Sequence, residues 1–173
     1  MGTGKSTVSR LLADRLGWSR VDTDDEIVRR AGKPIPAIFA EDGETAFRDL
    51  ESRVVADVLA RGEQVVATGG GAVLREENRR RMLAGGWVVA LTADRGSLLA
   101  RVAAGGDATG RPLLAGDAAE RIDTLLRTRR HAYDFAHAAV DTSGRSPEAV
   151  AELLLRWAQP VTGSPRRACR PQG

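Results

Sequence analysis

Cysteine is almost absent from this chain: Cys169 is the one thiol in 173 residues. An internal disulfide is therefore excluded, and the composition suits a reducing cytosol. No apolar run approaches the ~20 residues of a membrane span, so no membrane partner is expected. No basic segment followed by an apolar stretch opens the chain, so no secretory leader is expected. Internal repeats are lacking as well. Lysine is scarce: Lys5 and Lys33 stand against 24 arginines. A sequence that uses arginine nearly everywhere, yet keeps Lys5, points to a need for a compact point charge on a flexible stem. The wide planar guanidinium is no substitute for one in a cramped site.

What is present suits one globular domain. Charged residues make up 28% and hydrophobic residues 42%, and the length is enough for a sizeable core. The isoelectric point of about 9.7 raises the question of a nucleic-acid partner. The formal charge, however, is +3, and the acid-free stretch 160–173 contains Arg166, Arg167 and Arg170. Residues 1–159 are thus close to neutral. No nucleic-acid partner is expected, and 160–173 reads as a disordered, solvated basic tail.

Strand-like and helix-like segments alternate, which predicts an α/β fold with a parallel sheet flanked by helices. Helices are expected over 6–16, 25–31, 44–61, 76–84, 95–103, 118–136 and 147–158, with a turn or short helix over 35–40. Strands are expected over 20–23, 64–68, 87–91 and 138–141, those at 64–68 and 87–91 being of the fully buried type. A polar, glycine-rich loop is expected over 105–116.

Met1-Gly2-Thr3-Gly4-Lys5-Ser6-Thr7 matches the second half of the phosphate-binding pattern G-x-x-x-x-G-K-[ST]. In such a loop, backbone N–H groups face phosphate oxygens, the lysine reaches the β- and γ-phosphates, and the hydroxyl binds Mg²⁺. Asp22-Thr23-Asp24 follows at a strand's carboxyl end, where ligands bind in open α/β sheets. One acid could hold the metal's water shell while the other orients or deprotonates a hydroxyl. The plain alternative is that Asp24 caps a helix. Glu44, Arg48 and Glu51 fall on the polar side of their helix. They make either a surface ion pair or a guanidinium fork aimed at an anion. Gly69-Gly70-Gly71, straight after a strand, allows close approach of backbone to ligand, or serves as a connector. Arg129 falls on the apolar stripe formed by Ile122, Leu125, Leu126, Tyr133 and Ala136, where a charge needs a partner or a pocket. Arg111 sits in the glycine-rich loop, either solvated or poised to close over phosphates.

G-T-G-K-S-T, D-T-D, F-R-D-L-E, T-G-G-G, R-P-L-L and R-R-H-A-Y, in this order and spacing, resemble the shikimate kinase family from Met1 to about Arg156. The resemblance implies phosphoryl transfer from MgATP to the 3-hydroxyl of shikimate, on the route to aromatic amino acids, by a cytoplasmic monomer. It implies a domain over 1–159 with a substrate-binding section near 24–61 and a lid near 105–116. Lys5, Asp24 and Arg111 become the catalytic residues. Gly2, Gly4, Lys5, Ser6, Thr7, Arg111 and Arg145 become the nucleotide site, and Ser6 and Asp22 the metal residues. Asp24, Arg48, Gly69, Gly70, Gly71 and Arg129 become the shikimate site, with the two arginines clamping its carboxylate. The chain departs from the pattern at Ala104, where many members carry an arginine against adenine, and at His131, in place of a common proline. The loop's first glycine and the strand before it would precede Met1, roughly ten residues by strand length. Such an upstream segment is an expectation. Two other readings stay open: another small-molecule kinase of the same class, such as a gluconate kinase, or an inactive, truncated chain.

Overall fold

Helix α1 (Lys5–Leu16) begins directly after the glycine turn and ends at Gly17. The computed structural model describes residues 2–104, 115–129 and 131–162. After α1 come β1 (Ser19–Asp22), α2 (Thr23–Ala31), α3 (Ile35–Glu41), α4 (Gly43–Leu59) and β2 (Gln64–Ala67). A single turn of 3-10 helix, Ala72–Leu74, leads to α5 (Glu76–Gly85), β3 (Val89–Thr92) and α6 (Arg95–Ala103). The described chain closes with α7 (Ala115–Thr128), β4 (Ala138–Asp141) and α8 (Pro147–Thr162). The loop expected over 105–116 falls largely outside the described residues, and Ala115 and Gly116 already belong to α7. Most of the expected tail is likewise outside, although α8 runs on past Pro160.

The strands pair in parallel, as the alternation predicts. Among the described residues they form two two-stranded sheets, β1 with β2 and β3 with β4. The registers run from Ser19 opposite Gln64 to Asp22 opposite Ala67, and from Val89 opposite Ala138 to Thr92 opposite Asp141.

Each pair has its own apolar layer. Ile27, Ile38, Phe47, Val54 and Val58 come from α2, α3 and α4 and pack with Val21 and Val66 of β1 and β2. Val8, Val140, Val150 and Leu154 pack with Val89 and Leu91, joining α1 and α8 to β3 and β4. A side chain such as Ile27, fully buried, contributes about 1.5–3 kcal/mol by leaving water. Helix α1 also packs on β1 and β2, so it spans both layers.

Three expectations need correction. Full burial was expected for 64–68 and 87–91, but Val65, Val66, Val89 and Leu91 are only half-buried. Here each strand has one paired neighbour, not two. Thr23 was expected in a strand, yet it opens α2, because Asp22 accepts the N–H of Asp24 at 3.1 Å and so caps the helix. The cap is thus Asp22, and Asp24 sits in the first turn. Finally, α7 stops at Thr128 and does not run to Ala136. Arg129 lies just past its end, with its N–H still bonded to the Leu125 carbonyl at 3.1 Å. Leu126, assigned to the inward stripe, is exposed.

Candidate active site

Gly2 and Gly4 take positive φ values of 74° and 80°, a conformation that a side chain strains. Gly4 is the N-cap of α1 and no side chain caps the helix. The first-turn amides of Lys5, Ser6 and Thr7 therefore keep the helix's positive end open, which is the arrangement an anion seeks. Ser6 and Thr7 are exposed and Lys5 half-buried.

The loop is held from behind by a residue that the sequence reading missed. Arg101, in the last turn of α6, donates to the Gly2 carbonyl at 2.9 Å and to Thr142 Oγ1 at 3.0 Å. Its other terminal nitrogen donates to the Thr142 carbonyl at 2.6 Å. Its acceptors are two backbone carbonyls and a hydroxyl, none of which leaves a mark in a motif. Arg145 is exposed in the turn after β4, and its N–H donates to Thr142 O at 3.2 Å. Among the described residues, no side-chain hydrogen bond or ion pair joins Arg145 to the other predicted residues. Arg111 lies outside the described residues.

The glycine turn after β2 is the organising feature. Its three residues each lie against a different functional side chain, so a Cβ at any of them would collide. At Gly69 it would stand 2.5 Å from Asp24 Oδ1 and 3.4 Å from Glu51 Oε1. At Gly70 it would strike Arg129 Nη1, and at Gly71 it would meet Arg48 Nη1 and Nη2, the latter at 2.8 Å. None of the three has positive φ. Their lack of a side chain therefore serves close approach, not backbone freedom. The turn is fastened by Tyr133, whose hydroxyl donates to the Gly70 carbonyl at 3.3 Å. Asn78 adds a second fastening, its amide nitrogen donating to the Ala72 carbonyl at 3.0 Å. Asn78 Oδ1 is buried with no donor among the described residues.

Arg48 rises from α4 over the Phe47 ring, 5.1 Å from its centroid. Its Nη1 donates to Glu51 at 2.8 Å, while Nε and Nη2 stand 3.3 Å from the more exposed Glu44. Glu51 is 1% exposed. The polar-side reading of this helix is thus half right: Glu44 is a surface partner and Glu51 a buried one. A carboxylate beside an apolar stripe looks solvated in sequence, and only the docking of α4 against the glycine turn buries it.

The two acids of the β1–α2 junction differ in their surroundings. Asp22 accepts one hydrogen bond at each oxygen, Oδ1 as the cap and Oδ2 from Arg20 at 3.0 Å, which leaves a lone pair on each. Burial pushes Asp24 above the ordinary carboxylate value, and Asp22 pushes the same way; Lys5 and Arg48 pull it back. Burial likewise lifts Glu51, opposed by its hydrogen bond from Arg48. Lys5, Asp24, Arg48, Glu51, Arg129 and the three glycines are thereby gathered in one place. It joins three cations and two acids of raised proton affinity to a backbone turn, beside an open helix N-terminus. Such a set can hold an anion and handle a hydroxyl proton next to a phosphate.

The family model for shikimate kinase matches residues 1–159. A shikimate kinase of Thermobifida fusca is 49% identical over 156 residues, covering 90% of this chain and 88% of that protein. One from Moorella thermoacetica is 44% identical over 166 residues, covering 94% of each. Among solved structures, the shikimate kinase of Acinetobacter baumannii in complex with shikimate superposes with a TM-score of 0.83 at 33% identity. That match covers 95% of this chain and 91% of the other.

Proposed function

This chain belongs to the shikimate kinase family, and from that premise we propose how its residues divide the work. The activity is phosphoryl transfer from ATP to the 3-hydroxyl of shikimate, giving shikimate 3-phosphate and ADP in aromatic amino acid biosynthesis. The shikimate carboxylate is taken by Arg48 and Arg129, since guanidinium forks bind carboxylates through paired, charge-assisted hydrogen bonds. Gly69, Gly70 and Gly71 form the wall behind it. Asp24 orients the hydroxyl and accepts its proton as the oxygen attacks the γ-phosphorus and the bond to ADP breaks. Lys5, with the amides of Gly4, Ser6 and Thr7 and the loop at Gly2, holds the phosphates. Arg145 serves the adenine side and Arg111 the lid.

For Mg²⁺, Ser6 and Asp22 offer hard oxygen donors, the kind this ion prefers. Among the described residues no group of three or more His, Cys, Asp or Glu is gathered around a metal position. Ser6 and Asp22 would be the residues to hold the ion. When bound, it neutralises charge on the phosphate oxygens.

The observation that carries this reading is the one-to-one contact of three glycines with Asp24, Arg129 and Arg48. A rigid cyclic carboxylate makes use of two arginines around a side-chain-free wall; a flexible sugar acid has no such need. We extend the reading to a cytosolic monomer, which size-exclusion chromatography and fractionation test; the single cysteine suits a reducing cytosol. The deciding assay offers shikimate and gluconate side by side with ATP. Phosphorylation of shikimate alone is expected. Equal use of gluconate would overturn the assignment of the two arginines. So would Arg48→Ala and Arg129→Ala enzymes whose KM for shikimate rises less than the ~10-fold expected from losing a charged hydrogen bond.

A further inference from the structure

We propose that Thr23 is a positioning residue, setting the separation between the acid Asp24 and the glycine turn. The proposal rests on the site reading just given. Thr23 is fully buried, and its Oγ1 accepts the N–H of Gly69 at 3.0 Å. The location explains the bond. The β1–β2 ladder ends with Asp22 opposite Ala67, because the next residue turns into α2. From there the chain after β2 has no strand partner, and a buried N–H without an acceptor is costly. Thr23 supplies that acceptor from its side chain, so pairing between the two segments extends past the end of the strands.

The consequence reaches Asp24, the adjacent residue. The Cα of Gly69 is already so near that a Cβ there would stand 2.5 Å from Asp24 Oδ1. The other fastenings of the turn, from Tyr133 and Asn78, act on Gly70 and Ala72. The Gly69 carbonyl accepts the Ala72 N–H at 3.1 Å within the turn itself, so among these side chains Thr23 is the one that ties Gly69 to the β1–α2 segment. Without its hydroxyl the Gly69 amide would move to find another acceptor, and the acid would move with it. Such a displacement acts on the shikimate side, since no bond from Thr23 reaches the phosphate loop among the described residues. A residue misplaced by ~1 Å can lower turnover by up to ~100-fold.

The test compares Thr23→Val, which keeps the shape and loses the hydroxyl, with Thr23→Ser, which keeps the hydroxyl. Thr23→Val is expected to lose ~10-fold or more in kcat and to weaken KM for shikimate. KM for ATP should stay within about twofold, and Thr23→Ser should regain most of the loss. If Thr23→Val does not fold, Thr23→Ala replaces it, since Ala and Ser at this position differ only by the hydroxyl. A folded Val or Ala enzyme with wild-type kcat and shikimate KM overturns the proposal. An equal loss toward ATP overturns it too, because it would mark a general structural role. Asp24→Asn serves as the control: if that variant turns over normally, the site reading itself fails. If it is inactive while Thr23→Val is normal, only the role of Thr23 fails.

Discussion

Glu51, 1% exposed, accepts a hydrogen bond from Arg48 Nη1 at 2.8 Å, and among the described residues the guanidinium is its one side-chain donor. Removing either partner should have different effects. Arg48→Met leaves a buried carboxylate unpaired, a loss of about 3–5 kcal/mol when it is ionised. Burial already holds Glu51 above its ordinary value, and Arg48 is the main influence pulling it down. Without Arg48 its proton affinity climbs further. A group raised in the folded state contributes stability below its unfolded value and loses it as pH rises. Urea melts should therefore show Arg48→Met far more destabilised at pH 8 than at pH 5, with Glu51→Gln less affected. An equal loss at both values would contradict this.

Alanine at each of the three glycines should separate function from stability. Gly71 has φ −93° and ψ −15°, which any residue adopts. The three atoms nearest to an added Cβ all belong to Arg48. Gly71→Ala should raise KM for shikimate ~10-fold or more through the displaced arginine, with little effect on ATP. Gly69→Ala should act on kcat, through Asp24. Combining Gly71→Ala with Arg48→Ala should cancel the thermal cost of the first change, and a double-mutant cycle measures that coupling. Strict additivity would show that the contact is unimportant.

Asp24 offers a trade of activity against stability. Its folded-state proton affinity is raised by burial and by Asp22. Its ionised form is therefore a burden on folding above the unfolded value near 3.8. Asp24→Asn should reduce turnover by ~100-fold or more, as expected for losing a proton acceptor. It should also melt higher than the wild type at pH 8, because the amide carries no charge to desolvate. The advantage should shrink as pH falls toward 4. Thermal melts across that range decide it, and a variant less stable at every pH would refute the argument.

Glu26 has the opposite sign. Hydrogen bonds from Arg29 and then Arg30 hold its carboxyl down to about 2. A depressed acid contributes stability above its unfolded value of 4.5, lost as pH falls toward 2. Arg29 is 68% exposed and screened by solvent, so the contribution is put at about 1 kcal/mol. Glu26→Gln should be less stable than the wild type at pH 7 and equal to it near pH 2. Salt should narrow the difference at pH 7.

Much of the candidate site was legible because the proposed chemistry demands particular residues at particular spacings. The loop lysine, the acid pair and the glycine run announce themselves in sequence, and the helix over 95–103 and the strand over 138–141 match to the residue. What escaped was set by tertiary packing. Nothing between Arg129 and Ala136 is a glycine or a proline, so local propensity carries the helix onward. The chain leaves it at Thr128, and Arg129 and Tyr133 come to lie against Gly70. Thr23 is β-branched and reads as strand, yet the cap supplied by Asp22 makes it helical. Arg101 was unreadable because it recognises carbonyl groups, which every residue has.

Helix α1 leans on β1 and β2 on one flank and on α8 on the other. A triphosphate gripped at its amino end would therefore work as a keystone, bracing both halves through one shared beam. Protection from proteolysis or heat on filling that notch should spread to distant helices such as α8, well beyond the rim where the nucleotide touches.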